Sequence, residues 1–263
     1  MSSITTDKGI LHFEVFGKGK PVIFLHGWLG SWGLWQNTMK FVGKSYRTYA
    51  LDFWGFGESD DRLNSYNVMD FVNLVGQFMD QLGIEKAPLI GHSMGGTVSL
   101  MSAIKDPDRI EKIIVVGSPI KGSSLSLPLR LAGRRLIAEK LFKNFELFRK
   151  TLRRISPLIC NDPLFPEIMD RDLSKTNLES FLNSIRSLNQ VDLRPQLIRI
   201  NKPVLGLYGN RDNIVSPFQY KVLMKGVPHA QIERFPNSGH FIMLDEPRLF
   251  MQLVNEFLNQ ELN

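Results

Sequence analysis

The sequence predicts an α/β fold with a mainly parallel sheet, helices on both of its faces and a helical segment inserted near the middle of the chain. Short apolar runs alternate with helical patterns over residues 1–120 and again over 191–263, and this alternation is typical of parallel sheets. Residues 121–190 break the rhythm, because they contain no convincing strand. We therefore predict a core formed by 1–120 with 191–263 and a basic helical lid formed by 121–190.

Strands are predicted where apolar residues alternate or run without interruption. Residues 10–16 alternate before the turn-forming residues 17–20. Residues 21–25 (PVIFL) form a continuous apolar run, which is typical of a strand buried on both faces. On these grounds the predicted strands are Ile10–Phe16, Pro21–Leu25, Arg47–Leu51, Pro88–Ile90, Ile113–Val116, Pro203–Tyr208 and Gln231–Phe235.

Helices of the core are predicted where apolar residues recur every three or four positions. This spacing places the apolar residues on one side of a helix, which then packs against the sheet. The predicted core helices are Ser65–Leu82, Gly95–Ile104, Pro217–Lys225 and Pro247–Leu258.

The inserted segment is predicted to contain one long amphipathic helix. Its apolar stripe consists of Ile137, Leu141, Phe145, Phe148, Leu152 and Ile155. Basic residues fill much of the remaining surface, and Pro157 ends the pattern. The segment 121–190 holds 13 Lys and Arg against 7 Asp and Glu, a surplus that equals the net charge of +6 of the whole chain. A helical insertion of this kind predicts a cap over one end of the sheet.

The composition excludes several classes of protein. No run approaches the roughly 18 uncharged apolar residues of a membrane-spanning helix, and residues 1–16 lack the pattern of a secretory signal. Cys160 is the only cysteine, which excludes an internal disulfide and a thiolate metal cluster, and the histidines show no metal-ligand spacing. We therefore expect a cytoplasmic protein. Because the basic surplus is local, a nucleic-acid partner is not expected.

The sharpest motif is GHSMGG at residues 91–96, which follows a predicted strand and opens a predicted helix. This is the context of a nucleophile elbow, a turn so tight that Gly91 and Gly95 must be small and the hydroxyl of Ser93 points into the open. The N-terminus of the following helix directs free N–H groups to the same point. Alone, the motif could also be a glycine-rich turn without chemistry.

A second motif, HGW at residues 26–28, directly follows the second predicted strand, whose end lies beside the elbow in such a sheet. We expect the backbone N–H groups of Trp28 and Met94 to stabilise the oxyanion of a tetrahedral intermediate. Trp28, His26 and His92 are candidate substrate-binding residues, although the imidazole of His26 is more typical of a structural histidine that bonds neighbouring loops.

Two further loops, GNRD at 209–212 and SGH at 238–240, supply an aspartate and a histidine just after predicted strands. Each could be an ordinary turn. Together, however, Ser93, Asp212 and His240 follow the chain order that a nucleophile elbow predicts, and the carboxyl ends of parallel strands meet at one edge. A serine needs an adjacent base, and a carboxylate orients that base. This chemistry requires no metal or organic cofactor.

The sequence resembles a carboxylesterase-like serine hydrolase of the α/β-hydrolase superfamily over nearly its whole length. The resemblance rests on these motifs and on residues 52–59 (DFWGFGES), which are similar to the DxxGxGxS loop of that superfamily. The resemblance implies an eight-stranded sheet with a helical lid after the sixth strand. It also implies Ser93 as nucleophile, His240 as base and Asp212 as the acid that orients the base.

An ester or thioester hydrolase with an acyl-enzyme intermediate is the activity that the resemblance favours. The C–C bond hydrolases of aromatic degradation also resemble this chain, but they usually carry Asn where His92 stands and use a Trp near the lid, which 121–190 lacks. A related lyase or synthase activity on the same triad also stays open. A receptor-like protein that binds ligands with an intact triad is the non-enzymatic alternative.

The expected substrate is a small ester, and three interpretations of the basic lid stay open. Carboxylesterases similar to the pimeloyl-carrier-protein methyl esterase use lid arginines to dock an acidic acyl-carrier protein. A basic amphipathic helix is also typical of a protein that lies on an anionic membrane surface. In the third interpretation the apolar stripe only covers the pocket and the charges are solvated.

Overall fold

The computed structural model describes residues 2–61 and 65–261, which form the predicted α/β-hydrolase architecture around one mainly parallel sheet of eight strands. In chain order the strands are β1 (Ser2–Thr6), β2 (Gly9–Phe16), β3 (Pro21–Leu25), β4 (Arg47–Leu51), β5 (Ala87–His92), β6 (Ile110–Val116), β7 (Val204–Gly209) and β8 (Gln231–Phe235). They lie in the order β1-β2-β4-β3-β5-β6-β7-β8. β2 pairs antiparallel with both of its neighbours, and all other pairs are parallel.

The α-helices of the described residues flank this sheet. They are α1 (Gln36–Val42), α2 (Val68–Gln81), α3 (Met94–Lys105), α4 (Leu127–Ala132), α5 (Arg135–Lys143), α6 (Phe145–Ile155), α7 (Phe165–Ser174), α8 (Leu178–Gln190), α9 (Gln219–Gly226), α10 (Ile242–Asp245) and α11 (Pro247–Asn259). Helices α4 to α8 all belong to the segment between β6 and β7, which contains no strand. Within residues 2–61 and 65–261, we find no helix with the length and apolar character needed to cross a bilayer.

Two apolar clusters, one on each face of the sheet, form the core. Because side chains alternate along a strand, Ile23 and Leu25 of β3 belong to one cluster while Val22 and Phe24 belong to the other. The first cluster packs against α2 and α3, and the second packs against α1 and α11. Burial of both faces explains why β3 is apolar at every position.

Strand β1 is not predicted from the sequence, since Ile4 is the only apolar residue among its five. It forms at the edge of the sheet, where its backbone pairs antiparallel with β2. An edge strand that faces solvent needs few apolar side chains, so hydrophobic spacing gives no signal for it.

The prediction of one long helix over 137–155 is wrong, because the chain bends at Asn144 and forms α5 and α6. Asn144 has a φ of −119° and a ψ of 44°, outside the helical region, and its side-chain amide donates a hydrogen bond to the Lys140 carbonyl at 3.3 Å. The apolar stripe continues through the bend. Its residues Ile137, Leu141, Phe148 and Leu152 all border one cavity.

The loop after β4 is tied to the core by Asp52, whose carboxylate is completely buried. The carboxylate accepts hydrogen bonds from the N–H of Trp32 at 2.6 Å, from the N–H of Glu58 at 3.0 Å and from Nδ1 of His12 at 2.8 Å. Gly57 has a φ of +56°, and a Cβ there would lie 2.2 Å from this carboxyl group. The DxxGxGxS pattern therefore encodes a buried carboxylate that joins three segments.

The sequence motifs converge because the strands before them are parallel neighbours. Leu25 of β3 pairs with Gly91 of β5, and Gly209 of β7 pairs with Phe235 of β8. The loops that follow these strands contain HGW, GHSMGG, GNRD and SGH, and they leave the sheet at its carboxyl edge. Ligand sites of parallel sheets lie at this edge.

Candidate active site

Ser93 occupies the turn between β5 and α3 in a backbone conformation that few residues adopt. Its φ is 51° and its ψ is −116°, and among the described residues Leu29 is the only other non-glycine residue with a positive φ. The N–H of Ser93 donates to the Val116 carbonyl at 2.8 Å, which holds the turn against β6. Strained backbone of this kind is concentrated at functional sites.

Three glycines make this turn sterically feasible. A Cβ on Gly91 would lie 2.3 Å from the carbonyl oxygen of Gly95, and a Cβ on Gly95 would lie 2.2 Å from the carbonyl oxygen of Leu25. A Cβ on Gly96 would lie 1.8 Å from Oγ of Ser118. No side chain fits at such distances, so the close packing of α3 on β3 and β6 requires the glycines of the motif.

Asp212 and His240, which come from separate loops, are in direct contact. Nδ1 of His240 donates a hydrogen bond to Oδ2 of Asp212 at 2.7 Å. The other carboxylate oxygen accepts hydrogen bonds from the N–H groups of Ile214 and Val215, each at 2.9 Å. Both members of the pair are buried. The carboxylate thus holds the imidazole in one orientation and leaves Nε2 as the nitrogen available for proton transfer.

The two loops that carry this pair are packed tightly against each other. A Cβ on Gly209 would lie 2.1 Å from the carbonyl oxygen of Gly239, so the aspartate loop passes directly over the histidine loop. The N–H of Arg211 also donates to the Ser238 carbonyl at 3.0 Å. These contacts fix the spacing between the carboxylate and the imidazole, and the inserted segment adds a hydrogen bond from Nδ2 of Asn213 to the Leu158 carbonyl at 2.9 Å.

Ser93 and His240 border the same cavity. Gly117, at the end of β6, leaves room beside the pair, because a Cβ there would lie 3.2 Å from Nδ1 of His240. In the part of the chain that the structure describes, the Ser93 hydroxyl forms no hydrogen bond of ordinary geometry, so it is free to rotate. Catalytic hydrogen bonds are often long in ligand-free enzymes and tighten when substrate binds.

Two unused backbone donors lie at this point of the sheet edge. Within the described residues the N–H groups of Trp28 and Met94 donate no hydrogen bond, and that of Met94 belongs to the first turn of α3. The Trp28 indole is held by a hydrogen bond from Nε1 to the Phe181 carbonyl at 3.2 Å. A Cβ on Gly27 would lie 3.1 Å from Cβ of Ser93, so a glycine keeps this loop against the elbow.

His26 does not border the cavity, and its role in substrate binding stays a prediction that this geometry does not favour. The imidazole is fully buried. Nδ1 donates to the Gly27 carbonyl at 2.7 Å, and Nε2 accepts from the N–H of Phe53 at 2.9 Å. Burial lowers the pKa of His26, which keeps the ring neutral and suits this pattern. The ring therefore ties the loop after β3 to the loop after β4, as in the structural interpretation.

His92 does border the cavity, beside the loop of His240. Its Nε2 donates to the His240 carbonyl at 3.0 Å, and its Nδ1 is buried without a hydrogen-bond partner among the described residues. Burial and the neighbouring His240 hold the pKa of His92 well below its usual range, so the ring is neutral. The contact supports the backbone of His240, while a role of His92 in substrate binding stays a prediction.

An apolar cavity of about 420 Å³ is bordered by Ser93 and His240 at the sheet edge and by Trp28 of the neighbouring loop. Most of its remaining wall comes from the inserted segment. The apolar side chains that this segment contributes include Leu131, Ile137, Leu141, Phe148, Leu152, Phe165, Ile168, Leu173 and Phe181. Both the volume and the lining are typical of a small-molecule site.

A single carboxyl side chain, Asp172 of α7, interrupts this apolar wall. It is 4% exposed, and Oδ1 accepts hydrogen bonds from Oγ of Ser31 and from Nε of Arg171, each at 2.9 Å. Burial raises the pKa of Asp172 to about 6, and the opposing effect of Arg171 and Ser31 does not cancel it. Helix α7 is therefore tied to the loop after β3 at the wall of the cavity.

The sequence analysis does not single out Asp172, although a signal for it exists. The cavity-facing residues of α7 are Phe165, Ile168, Met169, Asp172 and Leu173. They follow helical spacing, so a carboxylate stands at a position of the apolar stripe. The signal is readable only once α7 is recognised as a helix, and Pro163 and Pro166 hide that pattern in the sequence.

Comparisons with known proteins agree with this fold. The family model described as alpha/beta hydrolase fold matches residues 20–153 and 164–247. A 2-hydroxy-6-oxo-6-phenylhexa-2,4-dienoate hydrolase of Comamonas testosteroni is 31% identical over 271 residues, which cover 95% of this chain and 92% of that protein. A pimeloyl-acyl-carrier-protein methyl ester esterase of Vibrio parahaemolyticus is 28% identical over 256 residues, which cover 94% of this chain and 97% of that protein.

Solved structures show the same fold. A thermophilic esterase from Thermogutta terrifontis matches with a TM-score of 0.83 and 24% identity, over 98% of this chain and 97% of that one.

Replacement of Asp172 by Asn tests the buried carboxyl group. Between about pH 4 and about pH 6 the folded protein binds more protons here than the unfolded chain, since the ordinary pKa is 3.8. The contribution of Asp172 to the free energy of unfolding therefore falls as the pH rises through this window, by up to about 3 kcal/mol. Urea unfolding should show the stability of D172N relative to the native protein rising between these pH values.

The matched control is Asp170→Asn on the same helix, where pairing with Arg149 lowers the pKa of the carboxyl group. The stability of D170N relative to the native protein should stay nearly constant between about pH 4 and about pH 6 and rise only as the pH falls below about 4, because that ion pair stabilises the native protein only when Asp170 is charged. A D172N effect that is constant with pH would contradict the account.

Proposed function

This chain belongs to the α/β-hydrolase fold family, and we propose that it is a serine hydrolase that cleaves a carboxylic ester or a thioester through an acyl-enzyme. The observation that carries the proposal is the 2.7 Å contact between His240 and Asp212, beside the cavity that Ser93 also borders. In this proposal Ser93 is the nucleophile, His240 the base and Asp212 the group that orients the base.

Acylation begins when Oγ of Ser93 attacks the carbonyl carbon and its proton passes to Nε2 of His240. Asp212 stabilises the imidazolium that forms, because its carboxylate stays bonded to Nδ1. The N–H groups of Trp28 and Met94 stabilise the oxyanion, and neither has another partner among the described residues. His240 then gives the proton to the departing alcohol or thiol, and the acyl group remains on Ser93.

Deacylation uses one water molecule and repeats the same steps. His240 accepts a proton from the water as its oxygen attacks the acyl carbon, and a second oxyanion forms at the same two N–H groups. The bond to Oγ of Ser93 then breaks while His240 returns the proton to Oγ. The carboxylic acid leaves and the free enzyme is restored.

The acyl side of the substrate is proposed to be neutral and apolar. Apart from the histidines, Asp172 is the only ionisable side chain at the cavity among the described residues. Transfer of a charged group into such surroundings costs several kcal/mol unless a partner compensates it. The bend between α5 and α6 keeps apolar side chains of both helices at the wall, which suits an alkyl or aryl group.

A C–C bond hydrolase is the second candidate, favoured by the 31% identity to the Comamonas testosteroni protein. The same triad would be used. The name of that relative specifies a dienoate, which carries a carboxylate group. In this chain no Lys or Arg among the described residues borders the cavity, and Asp172 does. A carboxylate substrate would therefore lack a counter-ion here, which favours the ester.

A carrier-bound ester is a refinement of the main proposal, supported by the similarity to the Vibrio parahaemolyticus esterase. Lys140, Lys143, Lys150, Arg153 and Arg154 of α5 and α6 are all exposed. This surface suits an acidic carrier protein, since complementary charge accelerates encounter. An anionic membrane surface stays the alternative partner for the same residues.

Replacement of Ser93 by Ala removes the proposed nucleophile. We expect kcat for p-nitrophenyl butyrate to fall by about 10⁶-fold, since the remaining groups cannot form an acyl-enzyme. Steady-state release of p-nitrophenol measures it, with the exposed Ser45→Ala as a control that keeps full activity. A native protein that releases one equivalent and then stops would instead be a receptor-like binder, and a fully active S93A would exclude the proposed triad.

Replacement of Asp212 by Asn tests the orienting role. We expect kcat to fall by about 10⁴-fold, because the amide cannot hold the imidazole in the required tautomer or stabilise its charge. Asp192→Asn is the matched control, since Asp192 is paired with Arg194, which lowers the pKa of that carboxyl group to about 2. An unchanged rate in D212N together with a large loss in D192N would reassign the acid.

A further inference from the structure

A second concave site of about 330 Å³ lies between the ends of α4 and α8, and it shares only Leu131 with the wall of the apolar cavity. Three exposed arginines border it: Arg130 of α4, Arg134 between α4 and α5, and Arg186 of α8. Among the residues that the structure describes, no Asp or Glu borders it. The remaining polar lining is neutral and includes Ser123 and Gln190. We call this site the arginine pocket.

Within the described residues the guanidinium groups of the arginine pocket form no ion pair, as is also true of Arg153 and Arg154 of α6, whereas other arginines of this part of the fold are paired. Four other arginines of this region are paired with carboxylates: Arg135 with Glu139 and Glu179, Arg149 with Glu146 and Asp170, Arg171 with Asp172, and Arg194 with Asp192. Within the described residues, Arg130, Arg134 and Arg186 form no ion pair, and their guanidinium groups donate no hydrogen bond. Each guanidinium therefore keeps five N–H donors for another group.

Helix packing holds the three arginines near one another. A Cβ on Gly133 would lie 2.7 Å from Nδ2 of Asn189 and 3.4 Å from Cα of Arg186, so the end of α4 rests directly on α8. Nδ2 of Asn189 also donates to the Arg130 carbonyl at 3.4 Å. Arg130 lies in the last turn of α4, where the negative end of the helix dipole attracts cations.

We propose that the arginine pocket binds the phosphate group of a small soluble molecule. Guanidinium groups bind phosphate oxygens in pairs of parallel hydrogen bonds, which makes arginine the usual residue for this recognition. A phosphate carries enough charge and enough acceptor oxygens to contact three guanidinium groups at once, whereas one carboxylate has two oxygens. The hydroxyl of Ser123 and the amide of Gln190 are neutral donors on the same wall.

Inorganic pyrophosphate is the probe for this site, titrated into the full chain by isothermal calorimetry. We expect saturable binding, and we expect R130Q/R134Q/R186Q to weaken it by at least about tenfold through loss of the charge-assisted hydrogen bonds. The control K150Q/R153Q/R154Q removes the same charge from residues of α6 that are also exposed but do not border the pocket. It should change the affinity by less than about twofold. The single variant R186Q gives an intermediate loss and guards against misfolding of the triple variant.

Equal losses in both triple variants would show a general charge effect and overturn the proposal, as would an absence of saturable binding to the native protein. Vesicles of phosphatidic acid in phosphatidylcholine form a second arm. In one outcome the protein binds these vesicles only when the three arginines are present and yet does not bind free pyrophosphate. That result would assign the site to a lipid headgroup and overturn the proposal that the phosphate belongs to a small soluble molecule. None of these measurements uses ester turnover, so their outcome is independent of the proposed hydrolase activity.

Discussion

The candidate active site depends on how closely helix α3 approaches the ends of β3 and β6. Because Gly91, Gly95 and Gly96 have no side chains, the backbone of α3 reaches the carbonyl of Leu25 at a distance that no Cβ would allow. Ser93 has a positive φ at this turn and is the N-cap residue of α3, so the first N–H groups of the helix follow it directly. The chemistry of the site therefore begins with a steric constraint of the backbone.

The loops of Asp212 and His240 also approach each other closely at glycines, and hydrogen bonds then fix their side chains. Gly209 passes over Gly239, which brings two loops into contact, and the hydrogen bond between Asp212 and His240 fixes the orientation of the imidazole. The sheet edge thus holds the imidazole of His240 in one orientation. The inserted segment supplies most of the apolar wall of the cavity, and Trp28, Leu29 and Phe241 of the core complete it. Preorganised groups of this kind need little rearrangement during reaction.

Much of the architecture is predictable from the sequence, and so is the contact between the loops of Asp212 and His240 near Ser93, because glycine-rich turns after apolar strands carry a strong local signal. Features that depend on packing between distant segments are not predictable from the sequence. Strand β1 needs only an edge to pair with, the bend at Asn144 interrupts no apolar spacing, and the burial of His26 and Asp172 depends on neighbours far along the chain. The arginine pocket likewise exists only because Gly133 lets α4 rest on α8.

A crystal structure of the protein after reaction with a fluorophosphonate ester tests the central claim most directly, since the adduct resembles the tetrahedral intermediate. The account predicts a covalent bond from phosphorus to Oγ of Ser93 and a phosphonyl oxygen within hydrogen-bond distance of the N–H groups of Trp28 and Met94. It also predicts Nε2 of His240 beside the adduct. An unmodified Ser93, or a phosphonyl oxygen that turns away from both N–H groups, would contradict it.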